Sequence, residues 1–157
     1  MKRFPFFLAL VFFPCTPAVA QDVREFIHLP SARLVEAIRT ASTATPAPVV
    51  ATTLEQRDDH VSIMVRRTES GTPELHEAFD DLYIVHEGAA TLVYGGTYEG
   101  AETTGPGELR GGTITGGTRQ ALAPGDVAVV PAAVPHQVVV EPGSSIIYHV
   151  VKVRRGM

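Results

Sequence analysis

The chain is poor in cysteine, in positive charge and in long apolar runs, and each shortage removes a class of protein. Its 157 residues hold one cysteine, Cys15. No disulfide can form within the chain, so a disulfide-held scaffold is excluded. Thirteen Lys and Arg stand against 17 Asp and Glu, a net charge of −4. Without a basic surplus to neutralise phosphates, neither nucleic acid nor an anionic membrane is expected as a partner. The main apolar run, Phe4 to Phe13, is too short to span a bilayer. No Gly-x-Ser-x-Gly turn occurs, so covalent hydrolase chemistry lacks its nucleophile. Gly95 to Gly117 is dense in Gly-Gly and Gly-Pro-Gly but has no strand–loop–helix setting for a phosphate loop, and reads as tight turns and loops. No internal repeat and no second domain are visible.

What is present begins with a leader. Lys2 and Arg3 precede the apolar run, and Ala18-Val19-Ala20 follows it. That is the three-part layout of a secretory signal peptide over residues 1–20, cleaved between Ala20 and Gln21. The mature chain would be periplasmic or secreted, with no membrane association after cleavage. It would lack cysteine altogether and keep 11 basic residues against 17 acidic ones, a charge of about −6. Its length suits one domain with a proper core.

Residues 21–48 read as an N-terminal helix and linker. Ser31 to Ala41 places Leu34, Val35 and Ile38 at helical spacing, with Ser31 as an N-cap after Pro30. Ser42 to Pro48 is a Ser/Thr/Ala/Pro linker. Residues 49–157 are all strand. Val61 to Val65 alternates, and Leu82–His86, Ala90–Tyr94, Val127–Val130, Gln137–Val140 and Ile146–Val153 are short, β-branched and bounded by Gly or Pro. Short strands so spaced build a sandwich or small barrel.

Two segments carry the chemistry. In Thr72 to Gly88, TPELHEAFDDLYIVHEG, Glu74 and His76 stand two apart and so share one face of a strand. In Pro124 to Gln137, PGDVAVVPAAVPHQ, a lone His136 opens a Val-rich strand. Two imidazoles, His76 and His136, and two carboxylates, Glu74 and Asp81 or its neighbour Asp80, could converge as the ligand set of a mononuclear centre for Mn, Fe, Ni, Cu or Zn, with open positions for substrate or water. The alternative is a pair of hydrogen-bonded barrel histidines without metal. In a regular strand Asp81, Tyr83 and Val85 share one face, and Asp80, Leu82, Ile84 and His86 the other. His86 then points away from the site. Tyr83 and His149 are candidate pocket residues, His149 alternatively a satisfied core histidine. His60 and Arg66 share a face that reads as solvated, although Arg66 could meet an anionic substrate.

Both segments resemble the two motifs of the cupin superfamily, G-x5-H-x-H-x3–4-E-x6-G and G-x5-P-x-G-x2-H-x3-N. Gly125, Pro131, Ala133 and His136 keep the spacing of the second motif, with Ala133 in the place of its glycine and Val140 in that of its asparagine. In the first, six residues separate Asp81 from Gly88, so Asp81 stands where the glutamate belongs. His76 takes the second histidine's place and Glu74 the first. Placing His76 first and Ala78 second leaves too few residues before Asp81. The spacing also selects Asp81 over Asp80. The chain further resembles small exported bacterial cupins with GELRG punctuation and a VVKV ending. The resemblance implies an all-β, double-stranded β-helix (a jelly-roll barrel) with one short helix. It also implies a divalent transition metal on Glu74, His76, Asp81 and His136, a small polar molecule as ligand or substrate, and a homodimer paired through outward faces at Leu82, Ile84 and Val138–Val140. A non-catalytic small-ligand module and a structural cupin with a vestigial site are the alternatives.

Overall fold

The computed structural model describes residues 26–156. The leader and its cleavage site lie outside the described residues. Helix α1 (Ser31–Ala44) is followed by thirteen strands among the described residues. Strands β1 (Val49–Gln56), β2 (His60–Arg67), β13 (Ile146–Arg154), β4 (Phe79–Gly88) and β11 (Val127–Val130) form one antiparallel sheet in that order. Strands β10 (Thr118–Leu122), β5 (Ala90–Tyr94), β12 (His136–Val139), β3 (Glu74–His76), β8 (Glu108–Arg110) and β7 (Glu102–Gly105) form the second. A ribbon of β6 (Thr97–Glu99) and β9 (Thr113–Thr115) stands beside them.

The two sheets close on an apolar core from both inner faces, including Val65, Val85, Leu92, Val138, Ile146 and Val150. Period-two alternation puts Tyr83 and Val85 of β4 inward with Tyr148 and Val150 of β13, as the pleat requires. A smaller cluster lies outside the five-stranded sheet, where Leu34 and Ile38 of α1 cover Met64 and Ile147. The helix has no side-chain cap, so this packing holds it. Each buried aliphatic side chain is worth about 1.5–3 kcal/mol.

The structure corrects four expectations. The helix runs on to Ala44, three residues into the expected linker, and Pro30 rather than Ser31 occupies the N-cap position. Val138 and Val140 do not form an outward face; both are buried in the core between the sheets. Exposed apolar side chains lie instead at Val127 and Val129, on the edge strand β11 of the other sheet. The Gly95–Gly117 stretch is not turns alone, because it contains β6, β7, β8 and β9. Its glycines make the turns, and the residues between them pair.

Gly88 ends β4 with φ +74°, and a Cβ there would stand 1.9 Å from the backbone oxygen of Ser145. That oxygen accepts the Ala89 N–H at 3.0 Å, so it cannot yield without breaking the link to β13. Gly88→Ala combines the left-handed penalty of about 1–2 kcal/mol with a backbone clash. A loss of about 3 kcal/mol or more is expected, read as a fall in the urea midpoint at unchanged slope. An unchanged midpoint would show that the turn is not built this way.

Candidate metal centre

Two strands of the second sheet and one of the first meet at the site. On β3, Glu74 and His76 both face inward and are buried, while Leu75 between them is less so. His136 opens β12 directly opposite Glu74 in the strand pairing. Asp81 comes across the barrel from β4 and is 1% exposed. The four side chains each place a ligand atom within 4.8 Å of all the others. His76 Nε2 lies 3.6 Å from Glu74 Oε2 and 3.6 Å from Asp81 Oδ2. His136 Nε2 lies 3.6 Å from Glu74 Oε1 and 3.4 Å from Asp81 Oδ2. The four ligand residues chosen from the sequence are therefore brought together.

The loop before His136 explains its placement. Ala133 has φ 63°, the one positive-φ residue other than glycine among the described residues, at the position where the cupin motif carries glycine. Its N–H bonds His76 O at 2.8 Å, and Ala132 N–H bonds Asp80 Oδ1 at 2.6 Å. The second motif is thus tied to the first through both backbone and side chain. Asp80 also accepts from Arg155 at 2.9 Å. It serves as a loop anchor, and Asp81 is the acid at the centre.

Hydrogen bonding fixes both histidine tautomers. His136 Nδ1 lies 3.0 Å from Val134 O. A carbonyl only accepts, so Nδ1 carries the proton and Nε2 presents its lone pair to the cluster. His76 Nδ1 lies 2.6 Å from Glu108 Oε2, and by the same logic donates to it. A carboxylate on the far nitrogen of an imidazole is the usual support of a metal-ligating histidine. Burial, assisted by Lys152, holds His76 below the usual imidazole range against the pull of Asp81, Glu74 and Glu108. The neutral ring that a metal needs is therefore favoured.

Sequence reading missed three charged residues at this site. On β8, Glu108 stands opposite His76 and Arg110 opposite Glu74 in the pairing with β3. Arg110 forms an ion pair with Glu74. Lys152 Nζ lies 2.6 Å from His76 Nε2 and 2.6 Å from Asp81 Oδ2. Available signals were the i, i+2 charges of Gly-Glu-Leu-Arg-Gly and the even spacing of Lys152 from Tyr148 and Val150. Burial pushes Asp81 up, but His136, Lys152 and His76 outweigh it and bring the carboxyl to about 2. Burial likewise raises Glu74, and Lys152, His136 and Arg110 together carry it below its ordinary value.

Of the two pocket candidates, Tyr83 is placed as expected. It is buried, and its hydroxyl donates to Asp81 Oδ2 at 3.3 Å. Its ring meets His136 edge-on at 6.2 Å. Its phenol is held well above the usual range, by burial first and then by Asp81 and Glu74. His149 corrects the expectation of a pocket residue. Tyr148 and Val150 take the inward positions of β13, which leaves His149 on the outer face, with Nε2 2.7 Å from Ser62 Oγ. Burial and the neighbouring His86 lower its pKa. His86 also faces away from the site, toward α1. His60 contacts Asp59 and Glu55.

The donor set fits a divalent transition ion: two imidazole nitrogens and two carboxylates are borderline-to-hard ligands. Two of its atoms, His136 Nε2 and Asp81 Oδ1, are buried without a hydrogen-bond partner among the described residues. Such atoms are costly unless something claims them.

No protein-family model matches the chain, and no curated protein does. Solved structures do. TT1209 from Thermus thermophilus is 21% identical, with TM-score 0.54 over 75% of this chain and 94% of that one. A protein with a double-stranded β-helix domain from Klebsiella pneumoniae is 14% identical, with TM-score 0.52 over 70% and 80%. The polyketide cyclase RemF from Streptomyces resistomycificus is 20% identical, with TM-score 0.49 over 68% of this chain. The chain spans 65% of RemF's length. The first two likenesses lie in the fold, which the Klebsiella protein's description gives as a double-stranded β-helix.

Proposed function

We propose that this is an exported cupin-fold protein that holds one divalent transition metal on Glu74, His76, Asp81 and His136 and uses it to bind or transform a small polar molecule. The observation that carries this is the pair of histidine Nε2 lone pairs, each fixed by a bond at Nδ1, aimed at two buried carboxylates. A bound ion would polarise an oxygen of the ligand or acidify a water. Tyr83 steadies Asp81, and Glu108 orients His76. The charge balance supports the ligand class. Glu74, Asp81 and Glu108 contribute three negative charges against Arg110 and Lys152. A divalent ion that takes the place of Lys152 brings the group to no net charge, which suits a small polar molecule. Metal analysis of protein purified without a histidine tag tests the assignment, with about one ion per chain expected.

Glu108→Ala removes the acceptor that fixes His76 while leaving all four ligands. Affinity for the ion should fall about 10–100-fold with the fold retained, read by competition with a chelating dye. Unchanged affinity would mean that Glu108 does not orient the ligand.

A second reading is favoured by Lys152 and Arg110, which already neutralise both ligand carboxylates. On that account the barrel is a binding module without metal, and purified protein would contain none. Export rests on residues 1–20. Mass spectrometry of the exported protein should find Gln21 at its amino terminus, whereas an intact Met1 in the soluble exported fraction would count against cleavage.

A further inference from the structure

We infer that Lys152 is the resident counter-ion of the metal centre: its ammonium holds the ligands in the metal-free protein, competes with the ion for them, and leaves when the ion enters. This rests on the metal assignment proposed above and concerns how that site is controlled.

Position comes first. Lys152 follows Tyr148 and Val150 at even spacing on β13 and reaches the ligand cluster. Its Nζ stands 2.6 Å from the ligand atom of His76 and 2.6 Å from that of Asp81. The chemistry then makes the two occupants mutually exclusive. With Nδ1 committed to Glu108, His76 has one lone pair left, on Nε2. That lone pair can accept from an ammonium or bind a metal, not both.

The ammonium is also an incomplete occupant. It satisfies His76 Nε2 and Asp81 Oδ2 but leaves His136 Nε2 and Asp81 Oδ1 buried without partners. An ion that takes four ligands would claim what the ammonium does not. Without either cation Asp81, at 1% exposure, would be an uncompensated buried charge, which is strongly destabilising. A lysine therefore keeps the metal-free site folded at the cost of metal affinity.

Finally, Lys152 has a way out. Its side chain is 19% exposed, against 11% for Glu74 and 1–2% for the other three. Its flexible four-carbon stem can carry the charge to water without moving β13.

The experiment measures Zn²⁺ affinity of wild type and Lys152→Met at one fixed pH, together with acylation of Lys152 by an amine-reactive ester, read by peptide mass spectrometry. Lys152→Met should bind Zn²⁺ at least tenfold more tightly, and Zn²⁺ should speed acylation of wild-type Lys152 at least fivefold. In a His76→Ala, His136→Ala background Zn²⁺ should leave the acylation rate unchanged. Equal affinities, or an acylation rate indifferent to Zn²⁺ in a wild type that binds it, overturn the counter-ion role and leave the metal assignment standing. Binding by Lys152→Met but not by wild type also overturns it, because the lysine is then a permanent plug. No binding by either protein overturns both proposals. If Lys152→Met does not fold, the wild-type acylation rates decide alone.

Discussion

Replacing His76 and His136 together by alanine is expected to abolish metal binding, from about one ion per chain to a trace, while the β-dominated circular dichroism spectrum is kept. Each substitution removes one neutral imidazole nitrogen from a four-ligand set. The loss should exceed the roughly 10–100-fold that follows from disturbing an outer partner such as Glu108. The fold should survive because neither ring is one of the apolar side chains that join the sheets. Glu74→Gln should weaken binding less, since an amide oxygen still coordinates. His86→Ala should change nothing, because His86 lies on the opposite face of β4, beside α1. Equal metal in wild type and the double variant, or none in either, would sink the assignment and leave the metal-free binding module.

The parts of this site that are legible in the sequence are those governed by strand alternation and fixed spacing. Glu74 and His76 sit at i and i+2, so any strand through them puts both on one face. Gly88 and Gly125 mark turns at set distances from Asp81 and His136, and both have the positive φ that such turns use. Strand pairing is not legible, because it depends on contacts distant in sequence. Nothing local to Gly-Glu-Leu-Arg-Gly says that it will lie against Glu74-Leu75-His76, 32 to 36 residues away. The run of glycines there conceals four short strands. Glycine weakens strands on average, but here β7 is held by β8 across a tight turn, and β6 by β9 across the segment that contains that pair. Sequence reasoning misplaces His149 for a related reason. Its own strand alternates correctly, but which parity faces inward is set by Tyr148 and Val150 meeting Tyr83 and Val85. Val138 and Val140 read as outward for lack of that same information, and the core claims both.

The metal-free protein should lose about 2 kcal/mol of stability as pH falls from 5 to below 2, and Asp81→Asn should remove that part of the pH dependence. In the folded protein the Asp81 carboxyl is lowered from 3.8 to about 2. Burial alone would raise it, but His136, Lys152 and His76 overcome that effect. A depressed carboxyl contributes stability that is fully present above its unfolded pKa and is lost as pH falls through the folded value. At about 1.4 kcal/mol per pKa unit, the difference corresponds to roughly 2 kcal/mol. The window therefore runs from just above pH 4 down to about 2, and Glu74, also lowered, adds to the loss in the same direction. At neutral pH Asp81→Asn should itself cost about 2 kcal/mol, the stability that the lowered carboxyl contributes there. Urea unfolding at pH 7, 5, 4, 3 and 2 measures both effects, with metal removed so that proton and ion do not compete. The wild-type and variant stabilities should converge as pH falls, since protonated Asp81 no longer pairs as a carboxylate. Curves that stay parallel down to pH 2 would show that the Asp81 carboxyl is not held by Lys152 and the histidines in the way the geometry requires.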